Sequence, residues 1–245
     1  MQTRSKIIIL IIVFLSFFAL NINSNAEEFN ITAKEILIDK QNETITGTGD
    51  VQATDSKGRI IIANKIVYEK SKEYILAVGN VKIIDIQGNI LSSDKATYDK
   101  LNEIIITYNN TEVTISEGYK LVSKNIQYNT EEMILSSSEN SIFLDDDGNK
   151  IETSMFQYQI MNNLFSSIGK IKMIDSNKNE YFFRELHVDT KIKEIIGSDI
   201  SVVLDKESFG VSKESDPRFV ANDVFISKNV SNLSKGVFTI CKKRD

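Results

Sequence analysis

ANKIVYEKSKEYILAVGNVKIIDIQG, residues 63–88, decides the fold. In its second half Ile75, Ala77, Gly79, Val81 and Ile83 fall on one face of a chain with period two, the mark of a strand with one side buried. Lys70-Ser71-Lys72-Glu73 interrupts the apolar alternation inside the stretch, and Asp55-Ser56-Lys57-Gly58 precedes it. Both are turn sequences, and glycine recurs where such a turn often needs a positive φ. The stretch therefore reads as a hairpin of two strands.

The same pattern returns at intervals of thirty residues along the chain. Its core is small-x-x-apolar-x-aromatic/apolar: Ala33 with Ile36 and Ile38, Ala63 with Ile66 and Tyr68, Ser93 with Ala96 and Tyr98, Ser123 with Ile126 and Tyr128. Thr153 with Phe156 and Tyr158 comes next, then Phe183 with Leu186 and Val188. A seventh copy, Ala221 with Val224 and Ile226, arrives eight residues late, after an insertion at 211–218 that contains Pro217, the one proline. Further columns keep the step: Gly58, Gly88, Gly118 and Gly148; Ile45, Ile75, Ile105, Leu135, Phe165 and Ile195; Asp55, Asp85, Asp145, Asp175 and Asp205. Seven hairpins predict about fourteen antiparallel strands. A lone hairpin is marginal in water, so successive units must stack over one shared apolar interior. The inward column also carries small residues near mid-strand, among them Gly47, Gly49, Ala77, Gly79, Ser167, Gly169 and Gly197. These predict a sharp fold of each strand, or a groove left between flanking apolar groups.

Arg4 and Lys6 precede an apolar run from Ile7 to Leu20, and Ser24-Asn25-Ala26 closes it. These are the parts of a cleavable export signal, which predicts removal of residues 1–26 and one domain over 27–245. The alternative, a retained anchor, needs nearer ~20 apolar residues to span a bilayer. Loss of the segment moves the net charge from -5 to -7, because it carries two basic residues and no acid. No basic face for nucleic acid is implied. Cys241 is the single cysteine and His187 the single histidine, so an internal disulfide and a Cys/His zinc site are excluded. An unpaired cysteine in an exported chain points to a free or intermolecular thiol.

The unit A-x-x-I-x-Y/I-D/E … I-x-G-x-G-x-V-x-x-x-D-x-x-G, at residues 33–58 and again at 63–88, resembles the OstA-type repeat of lipopolysaccharide transport proteins. These are the periplasmic bridge protein LptA, the inner-membrane-tethered LptC and the periplasmic domain of the outer-membrane assembly protein LptD. Asp216-Pro217-Arg218-Phe219 and Gly236-Val237-Phe238-Thr239-Ile240-Cys241 are similar to the far end of that LptD domain. The resemblance implies a twisted, V-shaped β-jellyroll whose interior holds the acyl chains of lipid A while the sugars stay in water. It implies edge-to-edge contact with homologous jellyrolls, and an outer-membrane barrel with its lipoprotein plug as further partners. It implies a periplasmic location beside the outer membrane. LptD proteins continue into a large barrel where this sequence stops at Asp245, so a truncated or split LptD, or a stand-alone relative working like LptA, is expected. Cys241, which in the family pairs with cysteines elsewhere in the chain, has no internal partner here. Joined to the repeat register, the resemblance nominates Ile36, Ile38, Ile45, Ile66, Tyr68, Ile75, Val81, Tyr98, Ile105, Ile126, Tyr128 and Leu135 as the residues that line the acyl chains.

Other motifs have plainer readings. Asp145-Asp146-Asp147-Gly148-Asn149 holds calcium-loop ingredients, but its glycine sits on the turn column, which predicts a solvated turn and no metal. The tyrosine column at 68, 98, 128 and 158 predicts a core ladder with hydroxyls at the rim. No G-x-S-x-G elbow and no Cys/His pair is present, and His187 falls outward between Leu186 and Val188. Catalysis has little to stand on, and the resemblance implies a lipid-binding conduit without a cofactor in place of an enzyme. Its competitors are an exported adhesive or filamentous repeat that grows by edge pairing, and a carbohydrate-active β-helix, for which no acidic cluster in register is found.

Overall fold

The computed structural model describes residues 29–241 apart from 117, 213 and 229. The export signal at residues 1–26 lies outside the described residues. The chain folds as an antiparallel all-β meander, as the periodicity requires. Thr44–Thr54, Ile60–Glu69, Tyr74–Ile84 and Ile90–Asp99 run unbroken. The next four levels are each split in two: Ile104–Tyr108 with Asn110–Thr114, Lys120–Lys124 with Gln127–Asn129, Ile134–Ser137 with Ser141–Leu144, and Lys150–Thr153 with Phe156–Gln159. Leu164–Ile174, Glu180–Asp189, Glu194–Val203 and Arg218–Ile226 complete the body. Asn30–Thr32 with Glu35–Asp39 forms one edge, and Ser231–Ser234 with Val237–Thr239 the other. These are fourteen levels, each hydrogen-bonded to its neighbours along the meander.

Every level bends near its middle. Pairing of Thr44–Thr54 with Ile60–Glu69 slips between Thr48 and Val51, and pairing of Tyr74–Ile84 with Ile90–Asp99 slips between Val78 and Val81. The residues skipped have positive φ: Gly49 and Asp50, then Gly79 and Asn80. Gly79 sits at φ +80 with its would-be Cβ 2.8 Å from the Asn64 side chain, so both conformation and space require glycine there. The mid-strand small residues thus mark a sharp fold, one of the two outcomes the sequence leaves open.

Bending turns one meander into two half-sheets that face each other. The first ends in the turns beginning at Asp55, Asp85, Ile115, Asp145 and Asp175. The second ends in the turns closed by left-handed Glu43, Glu73, Glu103, Met133, Asn163 and Lys193. Alternate side chains of both half-sheets fill the space between them, from Val51, Ile61 and Ile66 through Ile105, Leu121 and Leu135 to Ile171 and Val202. Phe143 on the first half-sheet meets Phe165 on the second at 4.8 Å between ring centroids. The extra residues of the last repeat emerge as a loop between Val203 and Arg218, with a single helical turn at Lys206–Phe209 and its base tied by Leu204 N–H to the Pro217 carbonyl.

The aspartate column has a local cause. In each such turn one Asp oxygen accepts the backbone N–H four residues on, at Arg59, Asn89, Asn149 and Asn179. The asparagine at that fourth position also accepts a backbone N–H from the next turn of the row: Asn89 from Ser116, Asn149 from Ser176, Asn179 from Asp205. Side chains therefore stitch the turns to one another, and the sequence signal for it is the recurrence of asparagine at 89, 149 and 179.

Candidate functional site

The bend lies at the closed end of the V, so the two rows of turns meet at its mouth. Toward the amino terminus that mouth is shut. Arg59, buried with 5% of its side chain exposed, donates from Nε to Asp55 Oδ2 at 2.5 Å and from Nη1 to Glu103 Oε2 at 2.7 Å. Nη1 also donates to the Thr130 hydroxyl. Lys57 Nζ reaches Glu103 Oε1 at 2.6 Å, and Tyr98 OH donates to Glu103 Oε2 at 2.8 Å. Burial would push the Glu103 carboxyl up, but the Arg59, Lys57, Thr130 and Tyr98 donors together hold it well below the usual carboxylate range. One repeat on, Tyr128 OH donates across the mouth to Asp85 Oδ2 at 2.8 Å. Burial and the Asp85 carboxylate both push that phenol up, so it stays a donor. Tyr119 OH donates to the Thr190 carbonyl, the next crossing.

Toward the carboxy terminus Lys193 Nζ bridges the two turn rows to Asp146 Oδ1 and Asp147 Oδ2, and beside that bridge the mouth opens. Tyr181 OH turns back to Asp175 Oδ2 on its own half-sheet, 2.9 Å away, and does not cross. The result is a cleft of about 580 Å³ floored by Phe143, Ile151, Met173, Val188, Ile195 and Ile226 and rimmed by Lys191, Lys193 and Lys228 against Asp145, Asp147 and Asp175. A floor of this kind takes an apolar chain; the mixed-charge rim keeps a polar end in water. Sequence reading did not nominate this cleft, although Val188, Ile195 and Ile226 lie on its repeat columns.

The nominated residues divide by position. Ile66, Tyr68, Ile75, Val81, Tyr98, Ile105, Ile126, Tyr128 and Leu135 are all buried between the half-sheets, and Ile45 is partly buried against them. Ile36 and Ile38 are 48% and 60% exposed, because Glu35–Asp39 is the first level and pairs on one side with Thr44–Thr54. Tyr68, Tyr98, Tyr128 and Tyr158 form the expected core ladder. Cys241 is exposed and free. Asp145 caps its own turn and Lys193 bridges Asp146 and Asp147, while no group of acids, His or Cys able to hold a metal occurs among the described residues.

His187 does face outward, and it is not alone. Its Nδ1 lies 3.0 Å from Ser166 Oγ and its Nε2 2.9 Å from Glu185 Oε1. The order Ser–His–Glu is that of an activated nucleophile. It stands on the outer sheet face, in a depression of about 890 Å³ also lined by Met155, Leu164 and Ile168, within the ladders joining Leu164–Ile174, Glu180–Asp189 and Glu194–Val203. No reaction is assigned to this chain of bonds.

No protein-family model matches the chain, and no curated protein matches it. Among solved structures, that of LptH, the LptA homologous periplasmic component of the lipopolysaccharide transport device from Pseudomonas aeruginosa, is similar over 73% of this chain and 96% of that one. Sequence identity is 13% and the TM-score 0.26, so the fold rests on the strand registers themselves.

Proposed function

We propose that this chain binds lipopolysaccharide in the periplasm and passes it toward the outer membrane, as an LptD-amino-terminal-like or LptA-like component. The observation that carries the reading is the cleft between the two half-sheets, floored by apolar residues that include Val188, Ile195 and Ile226. The OstA-type repeat supports the same reading from the sequence. Acyl chains would lie on that floor and continue along Ile126, Ile105 and Ile75, while the sugars remain at the rim. Export by the signal at residues 1–26 would deliver the chain to that compartment. Its two open edges, Glu35–Asp39 and Ser231–Ser234 with Val237–Thr239, would pair with homologous jellyrolls and so extend the interior. Cys241 would be free for a thiol partner on another chain.

The test is photo-crosslinking. A diazirine amino acid at Ile195, with outward Gln157 as control, is mixed with lipopolysaccharide. An adduct at Ile195 and none at Gln157 is expected; a folded protein that gives none at either refutes the reading. A second reading, an exported adhesive repeat, is favoured by one observation: the edges carry exposed Leu37, Leu233, Val237 and Phe238. Polymers that form with concentration and ignore lipid would establish it instead.

A further inference from the structure

The rim of the carboxy-terminal cleft carries its charges sorted by turn row. Lys191 and Lys193 stand on the turn between Glu180–Asp189 and Glu194–Val203, and Lys228 on the turn that follows Arg218–Ile226. Ile195 pairs with Ile226, so these two turns lie side by side in one row. Asp145, Asp147 and Asp175 come from the opposite row.

The two rows differ in what their charges still have to offer a ligand. Asp145 accepts the backbone N–H groups of Asp147 and Asn149 and the Asn149 side-chain amide. Asp175 accepts the N–H groups of Asn177 and Asn179, the Asn179 amide and the Tyr181 hydroxyl. Both carboxylates are therefore spent on their own turns. Lys191 and Lys228 are exposed and make no ion pair among the described residues. Lys193 is paired with Asp146 and Asp147, but its side chain is 45% exposed and theirs are 59% and 55% exposed. An ion pair this open to water contributes only about 0–1 kcal/mol. Moving Lys193 from the aspartates to an anion on a ligand therefore costs little, since both acids already touch solvent. A neutral head group offers no such replacement. A phosphate monoester does, with three acceptor oxygens to meet three ammonium groups.

We infer that Lys191, Lys193 and Lys228 form the head-group site of the cleft, which selects phosphate-bearing amphiphiles over neutral ones, Lys193 passing from Asp146 and Asp147 to the phosphate as the ligand seats. The inference rests on the lipid-binding reading and names the part of the ligand that the rim recognises. The apolar floor takes any acyl chain of suitable length, so the choice among amphiphiles falls to the lysine row.

The experiment follows the diazirine adduct at Ile195 in the full chain with three probes: lipopolysaccharide, lipopolysaccharide stripped of its phosphates, and phosphatidic acid. In the triple variant Lys191→Gln, Lys193→Gln and Lys228→Gln the lipopolysaccharide adduct falls roughly tenfold, or ~1.4 kcal/mol, while the stripped probe gives the same low yield in wild type and variant. In Asp146→Asn with Asp147→Asn, which frees Lys193 in advance, the lipopolysaccharide adduct rises. Circular dichroism confirms each fold, and Lys191→Gln with Lys228→Gln decides if the triple variant does not fold. A lipopolysaccharide adduct equal in wild type and the lysine variant overturns the head-group site and leaves the lipid reading standing. An adduct with phosphatidic acid alone, lost in the lysine variant, keeps the head-group site and overturns lipopolysaccharide as its ligand. No adduct with any probe in wild type overturns both.

Discussion

Replacing Phe165 by alanine measures whether the two half-sheets pack on each other as described. Phe165 is fully buried, with its ring 4.8 Å from Phe143 on the opposite half-sheet and 6.0 Å from Phe156 beside it. Its strand neighbours in register are Tyr158 and Val188. All four are themselves buried, so little around the site can collapse into the space left behind. Truncating a core phenylalanine costs about 3–5 kcal/mol, transfer and cavity terms together. The upper part of that range applies, since the Phe143–Phe165 contact is lost as well. For a chain of this size ~1 kcal/mol moves the melting temperature by roughly 2–4 °C. A fall of more than about 8 °C is expected, with a matching drop in the urea midpoint followed by far-UV circular dichroism. A loss below about 1.5 kcal/mol, no more than an average substitution, would refute the packing of the two inner faces.

Further outcomes rest on single contacts. Gly197→Ala places a methyl 2.5 Å from Phe183 Cδ1, so it should destabilise by about 1–3 kcal/mol in urea, and Phe183→Leu should recover part of that. The Glu103 carboxyl is held below its ordinary 4.5 by its donors against the pull of burial, so the unfolded chain takes up its proton first. The stability it contributes is therefore whole above about pH 4.5 and lost as pH falls below, and the wild-type advantage over Glu103→Gln in urea midpoint should shrink across that range. Lysine at exposed Leu37 and Val237 should abolish concentration-dependent association in sedimentation velocity while leaving the melting temperature within ~1 °C, since neither side chain is buried.

Much of this was legible in the sequence, for reasons that differ from residue to residue. The glycines at 58, 88, 118 and 148 are favoured by the positive φ of one turn position, which Lys178 takes in the next repeat, and that is a property of a few neighbouring residues. Alternation such as Ile75, Ala77, Val81 and Ile83 names the buried face of a strand without reference to the rest of the chain. What it cannot name is whether another layer covers that face. Ile36 and Ile66 share one repeat column, yet Ile66 is buried beneath a partner half-sheet and Ile36 is half exposed at an edge.

The sequence by itself determined the repeat, its β character, the turns and the side of each strand that faces inward, because these depend on interactions a few residues long. Only the tertiary structure decided what closes the mouth. Lys57 and Arg59 find Glu103, and Tyr128 finds Asp85, across distances in the chain that no thirty-residue period announces. The bend brings the two turn rows together, and the twist of the sheets sets which turn meets which. Closure then depends on which side chains reach across: Lys57 and Arg59 meet Glu103 and Tyr128 meets Asp85, whereas Tyr181 turns back to Asp175 beside the cleft of the carboxy-terminal half.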